Sequence, residues 1–300
     1  MKRRALLGLS AALAGGAWAA PGRAKELTSD ELSLYDLELK GDRAFGRAQL
    51  LVPKKLPPQP RLLVLLHGLG ETHDQVIGAR AFAERYGLLS AVARLTHPPL
   101  VRTYDPQDYF GEGRLSELNA RLAQRPYQPP VLLCPYTPNP YKAGGEAVLV
   151  RYGDFVTGRL KAEVEQRLGT SFPASRCMVS GISLGGYVAI EVFLKKPELF
   201  CALGTAQGAF GQNQAARYAA GVEGATQRLG PRRVEILTSS FDPYRRVNEL
   251  FHQHLQKRKQ SSRLLVSPGP HDQRWLRESG TIDMLLGADD AFAAAVGGAK

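Results

Sequence analysis

The stretch Cys177-Met178-Val179-Ser180-Gly181-Ile182-Ser183-Leu184-Gly185-Gly186 decides how the rest of the chain is read. Cys177 to Ser180 is a short run without polar alternation, the pattern of a strand buried on both faces, as in a parallel sheet. Leu184 to Lys195 is apolar and long enough for a helix. Between them, Gly181-Ile182-Ser183-Leu184-Gly185 must turn the chain sharply. Such a turn presents the serine oxygen at the carboxyl edge of a sheet, and its crowded backbone requires neighbours without side chains. The helix that follows aims its N-terminus at the same point and favours negative charge developing there. Gly-x-Ser-x-Gly also occurs as a plain turn. The strand before and the helix after favour Ser183 as a nucleophile.

A serine hydroxyl is a poor nucleophile at neutral pH, so it needs partners. Two amides must face the developing oxyanion. One belongs to the residue after the nucleophile, Leu184. The other should come from the loop after an earlier strand. His67-Gly68-Leu69-Gly70 directly follows the apolar run Arg61 to Leu66. Leu69 is the candidate donor, Gly68 permits the turn, and His67 is read as holding the loop.

The base and its orienter should follow the serine in the order acid, then histidine. Of six histidines, His67, His73 and His97 precede Ser183, while His252 and His254 fall inside a helical segment, Tyr244 to Gln260. His271 remains, in a loop after the apolar run Arg263 to Val266. The acid should lie after the preceding strand, Val234 to Thr238, where Asp242 is the carboxylate in the loop Ser239 to Pro243. Asp242 could also cap a helix that has Pro243 at its first position. The rival acid, Asp272, adjoins His271, and sequence neighbours point apart more often than they pair.

The remaining chain fits one architecture. Glu31 to Leu39 and Phe45 to Val52 read as an antiparallel hairpin around Gly41-Asp42. Buried-strand runs at Arg61–Leu66, Pro130–Cys134, Cys177–Ser180, Leu199–Gly204, Val234–Thr238 and Arg263–Val266 alternate with helical stretches at Asp74–Leu95, Asp154–Leu168, Leu184–Lys195 and Tyr244–Gln260. That alternation predicts an α/β fold: a mostly parallel central sheet with helices on both faces, joined by right-handed crossovers. Residues 20–300 are expected to form a single domain. His97 to Pro130, rich in Pro, Tyr and charge, with a short helix at Leu115 to Leu122 and with Tyr104, Tyr109 and Phe110, reads as a lid or binding insertion at 97–130, or else as a disordered segment. From Ala288 onwards the chain reads as a low-complexity Ala/Gly tail.

Composition bounds the partners. Of 300 residues, 44% are hydrophobic and 22% charged, the balance of a globular protein, so a disordered chain is excluded. The net charge of +11 is spread along the chain, which favours solubility over nucleic-acid binding. Residues 1–19 carry the marks of a leader peptide: Lys2-Arg3-Arg4, an apolar stretch from Ala5 to Ala14, and Ala17-Trp18-Ala19 as a cleavage site. Arg3-Arg4 also resembles a twin-arginine signal. The expected location is therefore periplasmic or secreted. No apolar run reaches the roughly 20 residues of a bilayer span, and no cysteine follows the leader, so no stable membrane anchor is expected. Cys134, Cys177 and Cys201 sit in or beside apolar runs as small buried hydrophobes, and their odd number forbids a full disulfide framework. Without Cys-x-x-Cys spacing, neither a metal nor another cofactor is called for.

The chain resembles the esterase D and feruloyl-esterase-like branch of the α/β hydrolases, which includes S-formylglutathione hydrolases, feruloyl and acetyl xylan esterases, polyhydroxyalkanoate depolymerase-like enzymes and mycolyltransferases. The resemblance runs from about Phe45 to Leu286. It rests on Leu65-Leu66-His67-Gly68, the helix through Asp154-Phe155 to Leu168, Gly181 to Gly186, the Asp242 loop, and Pro268-Gly269-Pro270-His271-Asp272 followed by Trp275. It implies an α/β-hydrolase fold and a triad at Ser183, Asp242 and His271, acting on a small-molecule or polymeric ester. Leu184 stands where this branch often has Met, Pro270 where Gly is common, and the Tyr-rich insertion is no mark of the branch. An acyltransferase uses the same triad. A peptidase, a thioesterase and a binding protein on this fold are the further alternatives.

Overall fold

The computed structural model describes residues 29–41, 43–102 and 109–297. The leader read at residues 1–19 and the insertion's Tyr104 lie outside them. Eight strands form one sheet: β1 (Leu32–Glu38), β2 (Arg47–Pro53), β3 (Leu62–Leu66), β4 (Val131–Pro135), β5 (Cys177–Gly181), β6 (Ala202–Ala206), β7 (Arg233–Phe241) and β8 (Ser262–Pro270). Their order is β1-β2-β4-β3-β5-β6-β7-β8. β1 and β2 form the expected antiparallel hairpin, and β2 joins β4 antiparallel. The pairs from β4 through β3, β5, β6 and β7 to β8 are parallel.

The helices are α1 (Gln75–Glu84), α2 (Leu88–Thr96), α3 (Gly111–Gln124), α4 (Pro140–Ala143), α5 (Glu146–Asp154), α6 (Lys161–Leu168), α7 (Leu184–Lys195), α8 (Gln212–Leu229), α9 (Arg245–Lys257), α10 (Gln273–Trp275) and α11 (Thr281–Gly297). The two-residue period of a strand divides the core. Leu62, Val64 and Leu66 of β3 pack with Tyr152, Val188 and Phe251 from α5, α7 and α9. Leu63 and Leu65 face the other way, toward Phe82, Val92 and Phe292 from α1, α2 and α11. Both faces are buried, which is why these strands read as continuous apolar runs.

Four departures from the sequence reading have local causes. The helix expected over Asp74–Leu95 is two helices, parted at Gly87, whose φ of 73° leaves the helical region. The helix expected from Asp154 begins at Glu146 and runs through a π-helical stretch, Phe155–Leu160, into α6. α8 has no counterpart among the expected helices, because its buried stripe, Ala215, Tyr218, Ala219, Val222 and Ala225, is mostly alanine and gives a weak periodic signal. The Ala/Gly tail is no loose end as far as residue 297: Ala288, Ala291 and Phe292 of α11 are buried in the core.

The described part of the 97–130 insertion is docked. Leu115, Leu118 and Leu122 of α3 are buried, as are Tyr109 and Phe110 before it. Arg114 pairs with Asp283 at 2.7 Å, and Arg121 pairs with Asp289 and Asp290 at 2.9 and 2.7 Å, tying α3 to α11. Among the described residues, no helix is long and apolar enough to cross a membrane.

Candidate active site

The carboxyl ends of β3, β5, β6, β7 and β8 deliver the site in spatial order. β3 is flanked by β4 and β5, so the chain leaves its carboxyl end toward one side while β5 continues to the other. A crevice opens at such a reversal. Ser183 stands two residues beyond the end of β5 with φ 56° and ψ −119°, a strained conformation for a residue with a side chain. The flanking glycines are forced by close approach. A Cβ on Gly181 would collide with the Gly185 carbonyl, and one on Gly185 with the Leu66 carbonyl of β3.

The structure brings Ser183, His271 and Asp242 together. His271 Nε2 lies 2.9 Å from Ser183 Oγ, and its Nδ1 lies 2.8 Å from Asp242 Oδ1. With Nδ1–H donating to the carboxylate, Nε2 is free to accept the serine proton. The Asp242 side chain is 0% exposed and that of His271 23%. Asp242 Oδ1 also accepts the Tyr244 N–H at 2.9 Å, and Oδ2 accepts the Thr238 hydroxyl at 2.6 Å. Asp242 thus closes the turn before α9 as well. The rival Asp272 is engaged elsewhere, accepting the Trp275 N–H at 2.8 Å at the start of α10.

Strand pairing sets this meeting. β7 and β8 run further than the apolar runs suggested, and Phe241 pairs with Pro270 after a register shift between Ser239 and Phe241. The next residue of β7 is then Asp242 and the next of β8 is His271. Gln207, after β6, reinforces the join: its Nε2 donates to Ser239 Oγ at 2.7 Å and to the Pro270 carbonyl at 2.9 Å. Gln207 has φ 48°, a second strained residue on this edge. Its role was not legible in sequence, because nothing local marks a glutamine for the left-handed region.

The loop after β3 lies against the serine turn. A Cβ on Gly68 would sit 3.7 Å from Ser183 Cβ. His67 is buried and bonded at both ring nitrogens: Nε2 accepts the Thr137 N–H at 2.8 Å, and Nδ1–H donates to the Gly68 carbonyl at 2.8 Å. In a trans peptide the carbonyl and the following N–H point opposite ways. With the Gly68 carbonyl held by His67, the Leu69 N–H is directed away from it. Leu69 opens a 3-10 turn (Leu69–Glu71) and Leu184 opens α7, positions whose N–H groups have no partner within their own helix.

Burial pushes the His67 imidazole down to about 4. The folded state therefore resists protonation that the unfolded chain accepts below its ordinary value near 6.5. Stability from this group is full above pH 6.5 and is lost as pH falls toward 4, by about 3 kcal/mol in total. Urea unfolding at pH 7 and pH 4 should show the wild-type protein losing that much more than His67→Gln, whose amide can replace both ring contacts. Equal losses in the two proteins would refute it.

Two other histidines have partners of their own. His73 Nδ1 bonds the Gly70 carbonyl at 2.9 Å, and His252 Nδ1 shares a hydrogen bond with Ser262 Oγ at 3.1 Å. Cys134, Cys177 and Cys201 are buried free thiols, and burial pushes Cys201 up to about 11. Among the described residues, no group of three or more His, Cys, Asp or Glu is placed to hold a metal ion.

No protein-family model matches the sequence, and no curated protein matches it. Solved structures do. A ferulic acid esterase aligns with TM-score 0.60 at 13% identity, over 87% of this chain and 98% of its own. The feruloyl esterase module of Clostridium thermocellum, complexed with sinapinate, aligns with TM-score 0.57 at 15% identity, over 86% and 88%. The enterobactin esterase of Shigella flexneri aligns with TM-score 0.57 at 16% identity, over 90% of this chain and 60% of its own. Sheet order, the turn at Ser183 and these likenesses define an α/β-hydrolase fold. These three structures are esterases by name.

Proposed function

We propose that the protein is an exported serine hydrolase that cleaves carboxylic esters through an acyl-enzyme, acting in the periplasm or outside the cell. The unbroken chain from Ser183 Oγ through His271 to Asp242 Oδ1, with steps of 2.9 and 2.8 Å, carries this reading. Ser183 Oγ attacks the ester carbonyl while its proton passes to His271 Nε2. Asp242 holds the imidazole in the receptive tautomer and stabilises the imidazolium. The Leu69 and Leu184 N–H groups receive the oxyanion, each donor worth about 3 kcal/mol in the transition state. Collapse breaks the bond to the alcohol, which takes the proton from Nε2. Water then loses a proton to Nε2 and attacks the acyl carbon. The acid departs as the proton returns to Ser183 Oγ. An alcohol in place of water makes the same site an acyltransferase.

One finer reading has its own support. Tyr141 is 72% exposed and stacks on Tyr187, with ring centres 6.0 Å apart. Tyr187 follows Ser183 by one helical turn, and the Tyr244 ring lies 5.6 Å from that of His271. These tyrosines suit an ester bearing a planar ring, and the compared enzymes named for feruloyl esters and enterobactin agree with it.

The test combines trapping and turnover. A fluorophosphonate probe should form an adduct on the peptide containing Ser183, located by mass spectrometry. p-Nitrophenyl acetate should be hydrolysed with saturation. Ring-bearing acyl esters should show KM lower by up to about tenfold, the scale of an aromatic contact. An adduct on another serine, or no hydrolysis, overturns the assignment.

A further inference from the structure

A buried carboxylate that takes no part in the proposed chemistry lies between the two loops that do. Glu71 is 1% exposed, at the end of the turn that begins at Leu69. Its Oε2 accepts a hydrogen bond from the Tyr86 hydroxyl. Its Oε1 accepts Gln273 Nε2 at 3.2 Å and lies 3.6 Å from Arg85 Nη1. Tyr86 Oη in turn accepts the Gly68 N–H at 3.2 Å. The Tyr86 ring is buried and packs edge-on against Phe82 at 5.1 Å, so its hydroxyl has a fixed address. Gln273 stands two residues after His271.

We infer that Glu71 is a positioning residue that couples the loop bearing the Leu69 amide to the segment bearing His271. This rests on the reaction proposed above. The Gly68 unit is held at both ends, its carbonyl by His67 and its N–H by Tyr86. Tyr86 can accept there because its own proton is committed to Glu71. Without the carboxylate the hydroxyl turns freely, and the Gly68 N–H loses a directed acceptor in a place that water does not reach. The Leu69 amide then loses its aim. On the other side, Gln273 ties the His271 segment to the same carboxylate. A small displacement of either loop opens the geometry between nucleophile, base and oxyanion together. Burial pushes the Glu71 carboxyl up, and the Tyr86 hydroxyl and the Arg85 guanidinium pull against that rise. No sequence pattern announced it.

Tyr86→Phe removes one hydroxyl and leaves the ring. It should lower kcat for p-nitrophenyl acetate about tenfold to a hundredfold, the scale of a slightly misplaced group, with KM within twofold. Inhibition by a trifluoromethyl ketone, whose serine adduct mimics the tetrahedral intermediate, should weaken by the same factor. Glu71→Gln, which keeps shape and an acceptor, should recover most of what Glu71→Ala loses. Gln273→Ala tests the other arm and should lower kcat about threefold to tenfold. A merely structural role would lower the unfolding midpoint without this split between kcat and KM. Tyr86→Phe and Gln273→Ala with kcat and inhibitor affinity within twofold of wild type would overturn the inference. A wild-type protein without Ser183-dependent hydrolysis would overturn the proposed function itself, and this inference with it.

Discussion

Ser183→Ala is expected to abolish fluorophosphonate labelling and to lower kcat/KM for p-nitrophenyl acetate by at least about 10³-fold, with losses near 10⁶ on record for a serine nucleophile in another hydrolase. The residual rate should still exceed that of water, because the Leu69 and Leu184 amides and the binding surface remain. The fold should survive. Ser183 Oγ bonds His271 Nε2 across the crevice, and alanine occupies the same φ of 56° at no greater strain than serine. The unfolding free energy should therefore stay within about 0.5 kcal/mol of wild type. Normal labelling or turnover in a folded Ser183→Ala protein would place the nucleophile elsewhere.

The second large effect concerns Asp242, and here the hydrogen bonds discriminate between two substitutions. Asp242→Ala removes the partner of His271 Nδ1 and should cost on the order of 10⁴ in kcat. Asp242→Asn should cost less. Oδ1 accepts both His271 Nδ1–H and the Tyr244 N–H, and a backbone N–H cannot reverse its direction. The asparagine carbonyl is therefore held toward His271, and the amide nitrogen turns to Thr238, whose hydroxyl can accept instead of donate. The receptive tautomer survives, and only the charge opposing the imidazolium is lost. At 1.4 kcal/mol per factor of ten, a charge-assisted contribution of about 1.5–3 kcal/mol gives a loss of about tenfold to a hundredfold. An asparagine variant as inactive as the alanine variant would show that the amide nitrogen faces His271 after all. Rates on purified proteins with matching near-ultraviolet circular dichroism decide it.

Much of this site was legible because its parts are local. Ser183 is marked by a five-residue turn whose two glycines answer to collisions with backbone at Gly185 and Leu66. Leu69 and His271 are marked by position, each in a loop directly after an apolar strand. Asp242 is marked by its loop after an apolar strand and Asp272 by its adjacency to His271; Asp242 bonds the His271 ring, while Asp272 accepts the Trp275 N–H. The supporting residues were not legible. Gln207, Tyr86, Glu71 and Gln273 act through partners up to 202 residues away in sequence, and each is of an ordinary residue type in an ordinary-looking segment. The same holds for α3, read as an insertion with a lid or binding role. Its arginines meet carboxylates of α11, a segment whose far half looked like a tail of low complexity.

By itself, then, the sequence determined the alternation of buried strands and helices, and with it a parallel α/β sheet. It also determined the sharp turn at Ser183 and the loops, each after an apolar run, that carry Asp242 and His271. These are consequences of side-chain size, polarity and period over a few residues. The tertiary structure alone decided that Asp242 meets His271. That depends on how far β7 and β8 extend and on one register shift between Ser239 and Phe241, which moves the last pair to Phe241 and Pro270. It alone decided that the Gly68 N–H meets the Tyr86 hydroxyl and that Gln273 meets Glu71, since these groups arrive from different turns of the chain and become neighbours only when the sheet is assembled. Strand register and the convergence of distant polar groups are set by the total packing of both layers, and no short stretch of sequence carries that information.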